Sequence, residues 1–333
     1  MTRVGGSWQL QLADKYVCTF VRRESWGDTS ELARRARRIF GSPAIWAYVK
    51  SVGLRIESVN NGRVRGEWIE PREPRPGAIL YVHGGGYVAG STNTHRPVTA
   101  ALARLTRRRV FSLEYRLAPE HRFPAAFDDA FDAYRWIVDE FSGNATQVAV
   151  AGDSAGGGLV LAVIVAARDE SIPLPACAVL YSPWTDMQGL IELPHPNAER
   201  CAMFTPPNID DFAQAYLEGA SRADPRASPF KSDMHGLPPI LFQVGESELL
   251  VEDSRSVHKK LLAAGGESEL EIWPDVFHGW QMLDGLVPEA RVALDLSAAF
   301  MVRHLEAARA SVPAGGSTRT KAISPRSIIS QTG

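Results

Sequence analysis

The stretch Gly152-Asp153-Ser154-Ala155-Gly156 is the part of this chain from which its fold can be predicted. It stands between an apolar run at residues 147–151, predicted to be a strand, and a run rich in small residues at 157–167, predicted to be a helix. A Gly-x-Ser-x-Gly sequence in that setting is typical of a turn so tight that only glycine fits two residues before and after the serine. The pattern therefore predicts that Ser154 is an exposed nucleophile on a strained corner, above a helix N-terminus.

The composition limits the classes of protein to which the chain can belong. It has 333 residues, of which 45% are apolar, enough for one large α/β domain or two smaller ones. A net charge of −2 gives no reason to expect nucleic acid or an anionic membrane as a partner. The longest apolar run, residues 159–167, is far shorter than the ~20 residues of a membrane span, and the N-terminus lacks the apolar segment of a signal peptide. Because Cys18, Cys177 and Cys201 are widely separated, we expect a soluble protein of the reducing cytoplasm.

Short apolar runs alternate with amphipathic runs from residue 64 onwards. The apolar runs are predicted strands at residues 64–69, 78–82, 110–115, 148–151, 178–182, 240–245 and 270–273. The amphipathic runs are predicted helices at residues 94–106, 125–139, 157–167, 253–264 and 288–308, with further helical stretches at 29–40 and 208–216. This alternation predicts an α/β fold in which a mostly parallel central sheet is covered by helices on both faces.

Two segments interrupt the alternation. Residues 1–50 are predicted to be helical, and residues 184–233 contain several prolines and many aromatics but no clear strand. We expect both segments to form a helical cap over the site around Ser154, above a core made of residues 51–183 and 234–310. Residues 311–333, rich in Ser, Thr, Gly and Pro, are predicted to be a disordered tail.

A serine hydroxyl becomes a good nucleophile only when a base takes its proton and an acid orients that base. In enzymes that carry such a corner, the acid and then the histidine follow the serine along the chain. His278 lies in the loop after the last predicted strand, and Glu248 follows the strand at 240–245, at the sheet edge where catalytic groups gather. We therefore predict Ser154, Glu248 and His278 as the catalytic residues. Three other acids remain open as alternatives to Glu248, of which the last is expected to cap the next helix: Glu246, Glu252 and Asp253.

A second glycine-rich stretch, His83-Gly84-Gly85-Gly86, follows the predicted strand at 78–82. Attack on a carbonyl carbon places negative charge on its oxygen, and each backbone N–H group that receives this charge contributes ~3–4 kcal/mol. Glycines present such groups without side chains in the way, and the N–H of Ala155, directly after the nucleophile, is a further donor. The sequence thus predicts an oxyanion hole between this loop and the corner at Ser154.

Three stretches together resemble the motifs of the hormone-sensitive-lipase-like family of α/β-hydrolases: His83-Gly84-Gly85-Gly86, Gly152-Asp153-Ser154-Ala155-Gly156-Gly157 and Tyr115-Arg116-Leu117-Ala118-Pro119-Glu120. The resemblance runs from about residue 64 to residue 305, in the family's order and spacing. It implies an α/β-hydrolase fold with a cap and a carboxylesterase that hydrolyses short- to medium-chain acyl esters at Ser154. It also implies Gly84, Gly85 and Ala155 as the oxyanion donors, with Gly86 as support.

The chain departs from the family's usual sequence at two positions. It has Glu248 where the family usually has aspartate, and this side chain, one methylene longer, can still orient His278. It has Glu114 where the family often has aspartate, in a stretch that we interpret as scaffold.

No motif in the sequence specifies which residues line the substrate pocket. Aromatic residues near a cap more often serve packing than recognition, but five of them are candidate substrate-binding residues: Tyr87, Trp184, Phe204, Tyr216 and Trp280. A metal-binding signature such as His-Glu-x-x-His is absent from the sequence, so neither a metal nor a cofactor is expected. The expected partner is a small-molecule ester, and a homodimer is one assembly that the sequence permits.

Three other functions remain open. The stretch Gly84-Gly85-Gly86-Tyr87-Val88-Ala89 fits a dinucleotide-binding pattern with Glu114 as the ribose-binding acid, but Gly90-Ser91-Thr92-Asn93 interrupts it where a helix should run. Plant gibberellin receptors resemble this family but lack a working catalytic histidine, so the presence of His278 favours an enzyme over a receptor. An amidase, a lactonase or an acyltransferase would use the same three catalytic residues, and the sequence does not separate them from an esterase.

Overall fold

A computed structural model describes residues 6–22, 27–41, 48–141, 143–188 and 195–310. Within them, eight strands form one sheet: β1 (Arg55–Asn60), β2 (Arg65–Glu70), β3 (Ala78–Val82), β4 (Arg109–Leu113), β5 (Val148–Asp153), β6 (Cys177–Tyr181), β7 (Ile240–Gly245) and β8 (Ser268–Trp273). The α-helices of these residues are α1 (Trp8–Phe20), α2 (Thr29–Phe40), α3 (Arg96–Thr106), α4 (Ala125–Glu140), α5 (Ala155–Asp169), α6 (Pro206–Leu217), α7 (Val251–Ala263) and α8 (Pro288–Ala310). The predicted tail at 311–333 lies outside the described residues.

The strands stand in the order β1-β2-β4-β3-β5-β6-β7-β8. Pairing is antiparallel between β1 and β2 and between β2 and β4, and it is parallel in every other pair. The central strands β3, β5, β6 and β7 are buried along nearly their whole length, as strands are when helices cover both faces. The predicted α/β class with a mostly parallel sheet is confirmed.

Two hydrophobic cores lie on opposite faces of the sheet, because successive side chains of a strand point to opposite sides. Leu80 and Val82 of β3 belong to the core that includes side chains of α4 and α5. Ile79 and Tyr81 of the same strand belong to the core that includes side chains of α3 and α8. Nearly every residue of α5 is buried, so the helix that follows Ser154 is anchored inside the molecule.

The element bounds differ from the predictions at a few places. Strand β1 is not predicted from the sequence, because its side chains are almost all exposed at the sheet edge and show no apolar alternation. Helix α3 begins at Arg96 rather than at residue 94, because Thr94 belongs to a turn with Ser91: the Ser91 N–H donates to Thr94 Oγ1 (2.9 Å), and the Thr94 hydroxyl donates to Ser91 O (2.9 Å). The predicted strands at 78–82 and 240–245 are found with the same bounds.

Helix α1 packs on the part of the chain that follows β8. Leu10 and Val17 share a hydrophobic cluster with Trp280. Ser7 caps the N-terminus of the helix: its hydroxyl accepts a hydrogen bond from the Leu10 N–H (3.2 Å) and donates one to Glu289 of α8 (2.8 Å). These contacts fix α1 against α8. No helix in the described ranges is both long and apolar enough to cross a membrane.

Helices α2 and α6 contact each other. The guanidinium of Arg37 in α2 donates to Val88 O (2.9 Å) and to Ala118 O (3.0 Å), which ties this helix to the loops after β3 and β4. Helix α6 begins with a capping box, in which Thr205 and Asn208 exchange hydrogen bonds between side chain and backbone. Both helices are therefore held in defined positions next to the carboxyl ends of the parallel strands.

Candidate active site

Ser154 joins the end of β5 to the start of α5. Its backbone has φ 53° and ψ −122°, a conformation that costs a residue with a side chain about 1–3 kcal/mol. The glycines on either side make the corner possible. A Cβ on Gly152 would lie 2.5 Å from the Gly156 carbonyl oxygen, and a Cβ on Gly156 would lie 2.1 Å from the Val82 carbonyl oxygen. The strand–turn–helix corner is present, with Ser154 at its tip. The expectation that Ser154 is exposed is wrong, because the residue is only 8% exposed inside the protein.

Glu248 and His278 form a buried pair. The Nδ1 of His278 lies 2.6 Å from Oε2 of Glu248, so this nitrogen carries the hydrogen and Nε2 keeps its lone pair. The other carboxylate oxygen, Oε1, accepts hydrogen bonds from the Ser182 hydroxyl (2.7 Å) and from the Gly245 N–H (2.7 Å). The carboxylate therefore fixes both the orientation and the tautomer of the imidazole, which is what a general base requires.

The three other acids that the sequence left open lie elsewhere. Glu246 and Glu252 are exposed. Asp253 is buried, and its Oδ2 accepts hydrogen bonds from the N–H (2.6 Å) and the hydroxyl (3.1 Å) of Thr185. The expectation that Asp253 caps the next helix is wrong, because α7 has Leu250 at its N-cap position and no side-chain cap. Asp253 lies inside the first turn and holds the segment after β6 instead.

The burial of Asp253 leads to a testable pH dependence of stability. Burial raises the pKa of this carboxyl from 3.8 to about 7, even though hydrogen bonds from Thr185 and Asp186 lower it in part. Because the folded protein binds this proton more tightly than the unfolded chain, the associated stability is full below about pH 4 and is lost as the pH rises towards 7. We expect Asp253→Asn to flatten the dependence of Tm on pH between 4 and 7, measured by thermal unfolding in matched buffers. The same slope in both proteins would contradict this assignment.

A cavity of ≈ 830 Å³ opens at this corner. Ser154 and His278 both line it, together with Gly85 and Gly86 of the glycine loop, residues 83–86 after β3. Its other walls are mainly apolar and include residues of α1, α2, the segment before α6, α6 itself and the turn after β8, for example Leu12, Phe40, Phe204, Phe212 and Met282. Ser154 and His278 thus line one mainly apolar pocket.

The glycine loop after β3 lies against the nucleophile corner. The Gly84 N–H donates to Oδ1 of Asp153 (2.9 Å), and Gly84 is not among the described residues that line the cavity. The structure therefore corrects the expectation that Gly84 is an oxyanion donor, since its amide is already engaged. Gly85 and Gly86 do line the cavity and have φ values of 113° and 61°. A Cβ on Gly85 would lie 2.2 Å from the Ala89 carbonyl oxygen, so glycine is required there.

Two of the five aromatic residues predicted to bind substrate line the cavity, namely Trp184 and Phe204. Tyr87 and Tyr216 are fully buried and stack on each other, with 3.9 Å between ring centroids. Trp280 is fully buried in the cluster that anchors α1. For these three residues the structure corrects the prediction, because their rings pack inside the protein and do not reach the pocket.

One wall of the cavity, formed by α1, is not among the predicted substrate-binding residues. Trp8, Leu12, Tyr16 and Phe20 recur at every fourth residue, line the cavity and remain between 59% and 71% exposed. Side chains spaced by four residues form one stripe along a helix. That spacing is the signal in the sequence from which this wall could have been predicted.

The dinucleotide-binding pattern does not have the required geometry. The chain makes turns rather than a helix from Gly86 to His95, and α3 begins only at Arg96, so no helix N-terminus directly follows the glycines to hold a pyrophosphate. Glu114, the candidate ribose-binding acid, accepts a hydrogen bond from the Thr92 N–H (2.9 Å). In the part of the chain that the structure describes, no group of three or more His, Cys, Asp or Glu side chains is placed to hold a metal ion.

Known proteins are similar to this chain in sequence and fold. A family model described as alpha/beta hydrolase fold matches residues 79–282. An acetyl-hydrolase from Streptomyces hygroscopicus is 38% identical over 243 residues, 73% of this chain and 81% of its own, and an esterase from Acinetobacter venetianus is 32% identical over 293 residues, 88% and 95%. The crystal structure of an esterase from the bacterial hormone-sensitive lipase family is 34% identical, with a TM-score of 0.80 over 91% of this chain and 100% of that chain. The chain belongs to the α/β-hydrolase fold family, in the hormone-sensitive-lipase-like group that its motifs predict.

Proposed function

We propose that the protein is a serine carboxylesterase that hydrolyses short- to medium-chain acyl esters through an acyl-enzyme on Ser154. The observation that carries this proposal is that Ser154, on its strained corner, and His278, oriented by Glu248, line one cavity. A weak nucleophile, a base and an acid that fixes the tautomer of the base are the parts that acyl transfer needs. The names of the relatives, acetyl-hydrolase and esterase, support the same activity.

The reaction proceeds in two halves. As Ser154 Oγ attacks the ester carbonyl carbon, the lone pair on Nε2 of His278 takes the hydroxyl proton, which then passes to the alcohol oxygen as its bond to the acyl carbon breaks. A water molecule, deprotonated by the same nitrogen, then attacks the acyl carbon, and the imidazolium returns that proton to Ser154 Oγ as its bond to the acyl carbon breaks, which releases the acid and free Ser154. Glu248 stabilises the imidazolium that forms in each half and holds the ring in place.

We assign the oxyanion hole to the N–H groups of Gly85, Gly86 and Ala155. The amide of Ala155 is at the N-terminus of α5, where N–H groups lack partners within the helix and the dipole favours an anion. Gly85 and Gly86 line the cavity and have no side chains that could block it. Each donor is expected to contribute ~3–4 kcal/mol when the carbonyl oxygen becomes negative.

We assign residues 1–50 and 184–233 as a cap over a core of residues 51–183 and 234–310. Support comes from the cavity, whose walls include apolar side chains of α1, α2 and α6. Apolar walls bind water poorly, and a site with less water strengthens hydrogen bonds to a developing negative charge. The cytoplasm is the compartment that we propose, supported by free thiols at all three cysteines, and a homodimer stays a prediction.

The proposed activity is tested with p-nitrophenyl esters of acetate, butyrate, octanoate and palmitate, and with the p-nitroanilide of the best acyl group as a control. We expect kcat/KM to be highest between acetate and octanoate and to fall for palmitate, because the relatives are named acetyl-hydrolase and esterase and the motifs resemble those of enzymes for short- to medium-chain esters. Turnover of the anilide should be far slower, because its amide bond is less reactive than the ester.

Other outcomes of the same panel would point to other functions. Faster turnover of the anilide would indicate an amidase, and faster turnover of an added lactone would indicate a lactonase. Acyl transfer to an added alcohol in excess of hydrolysis would indicate an acyltransferase. Absence of turnover by folded protein would refute the esterase proposal and favour a receptor.

A further inference from the structure

A carboxylate lies between the nucleophile corner and the glycine loop. Oδ1 of Asp153 accepts hydrogen bonds from the Gly84 N–H (2.9 Å) and from the Tyr81 hydroxyl (2.7 Å), and Oδ2 lies 3.3 Å from Nε2 of His95. Burial alone would raise the pKa of Asp153, but the charge of His95 and the hydrogen bonds from His95 and Tyr81 outweigh burial and lower the pKa to about 2. The carboxylate is therefore ionised at the pH values at which an esterase works, and both of its oxygens have partners.

Gly84 is also held through its carbonyl group. Nδ1 of His83 donates to the Gly84 oxygen (2.7 Å), and the His83 ring stacks on Tyr115 with 4.2 Å between ring centroids. Burial, together with the neighbouring His95, lowers the pKa of His83 to about 3, so this ring is neutral. The Tyr115 hydroxyl donates to the His83 carbonyl oxygen (2.9 Å). The N–H of Gly84 is thus bound by Asp153 and its C=O by His83. These two hydrogen bonds fix the orientation of the peptide groups on both sides of Gly84.

We propose that Asp153 is a positioning residue for the oxyanion hole: its carboxylate ties Gly84, and with it Gly85 and Gly86, to the corner that carries Ser154. Asp153 directly precedes Ser154 in the chain, so the nucleophile and the glycine donors are parts of one connected unit. His95 lines the cavity and fixes the second oxygen of the carboxylate. This inference rests on the proposed esterase activity.

The position of the loop affects the transition state more than the bound substrate. Oxyanion donors are effective because they are already aligned when charge develops. A displacement of about 1 Å can cost about 100-fold in rate. The bound substrate, in contrast, is held mainly by the apolar walls of the cavity. Loss of the link between Asp153 and Gly84 is therefore expected to lower kcat while KM changes little.

The test compares Asp153→Ala with two matched variants, using p-nitrophenyl butyrate. Asp153→Ala removes the acceptor of the Gly84 N–H, and we expect kcat to fall about 30- to 100-fold with KM within about twofold. Asp153→Asn keeps an oxygen for Gly84 and should restore kcat to within about fivefold of the wild type. Tyr81→Phe removes a donor to the same oxygen but leaves the Gly84 hydrogen bond, so its kcat should stay within about threefold.

A trifluoromethyl ketone reports on the oxyanion hole directly, because its adduct with Ser154 carries a negative oxygen like that of the transition state. We expect its Ki to rise in Asp153→Ala by the same factor by which kcat/KM falls. A merely structural role would lower Tm but leave kcat per active site, counted with a fluorophosphonate, unchanged. That result would overturn the proposal, and so would equal losses of kcat in Asp153→Ala and Tyr81→Phe.

If Asp153→Ala does not fold, His95→Ala tests the same link through the other carboxylate oxygen. We expect a fall in kcat of about 3- to 10-fold with unchanged KM, because Asp153 is then held on one side only. Unchanged kcat in folded His95→Ala would overturn the proposal. An inactive wild-type protein would instead refute the esterase activity itself, so the two failures are distinguishable.

Discussion

Ser154→Ala is expected to lower kcat for p-nitrophenyl butyrate by about 10⁴- to 10⁶-fold, as loss of the nucleophile does when a catalytic triad acts as a unit. Alanine has no oxygen with which to form the acyl-enzyme. The remaining rate would come from binding and from the oxyanion hole acting on attack by water. The measurement is steady-state hydrolysis with enough enzyme to detect a residual rate, after removal of any contaminating esterase.

The fold of Ser154→Ala should persist. The corner depends on Gly152 and Gly156 and on the hydrogen bond from Ser154 N to Tyr181 O (2.8 Å), none of which involves the serine hydroxyl. Far-UV circular dichroism and Tm should therefore match the wild type. A variant that is folded but keeps more than about a hundredth of the wild-type kcat would place the nucleophile elsewhere.

Glu248→Gln is expected to lower kcat by about 10³- to 10⁴-fold, because the structure determines how the glutamine amide must turn. The site of Oε1 receives hydrogen bonds from Ser182 and Gly245, so the amide oxygen has to stay there. The amide nitrogen then faces Nδ1 of His278 and donates to it. This places the imidazole hydrogen on Nε2, where it blocks acceptance of the proton from Ser154.

Asp253→Asn is the matched control for Glu248→Gln, because it makes the same change in a second buried acid close to the site. Asp253 contacts Thr185 and Asp186 and supports the segment after β6, so its loss should change kcat by no more than a few-fold. The comparison is made with the same ester and with enzyme counted by active-site titration. A larger loss in Asp253→Asn than in Glu248→Gln would reassign the catalytic acid.

The sheet and the corner at Ser154 are the parts that local sequence patterns predict well, and the catalytic roles of Ser154, Glu248 and His278 stay predictions. The strand–turn–helix corner requires glycines at fixed positions, and the acid and the histidine follow particular strands of a parallel sheet. Strand β1 cannot be predicted from an apolar pattern, because an exposed edge strand needs no apolar side chains. The sequence favours Glu248 because it closely follows β7, but the role of Asp253 needs the structure, where its Oδ2 accepts hydrogen bonds from Thr185 in the segment after β6.

The direction in which the Gly84 N–H group points cannot be predicted from the residues next to it in the sequence. It depends on a hydrogen bond to Asp153, which is 69 residues away along the chain, so a motif alone cannot show which glycines face the cavity. The same holds for Tyr87 and Tyr216, which are distant in the chain and find each other only in the folded core. Whether an aromatic ring packs in the core or lines the pocket depends on the residues around it in the folded protein, and these are distant in the sequence.

The enclosed helix α5 and the half-exposed stripe of α1 differ in how freely they can evolve. A substitution in α5 would disturb a tightly packed interior and, with it, the position of Ser154 at the start of the helix. Leu12 and Tyr16 border the pocket on one side and solvent on the other, so a larger or smaller side chain there has room to adjust. Substitutions in the exposed stripe of α1 can therefore change the shape of the pocket while α5 and the position of Ser154 stay the same.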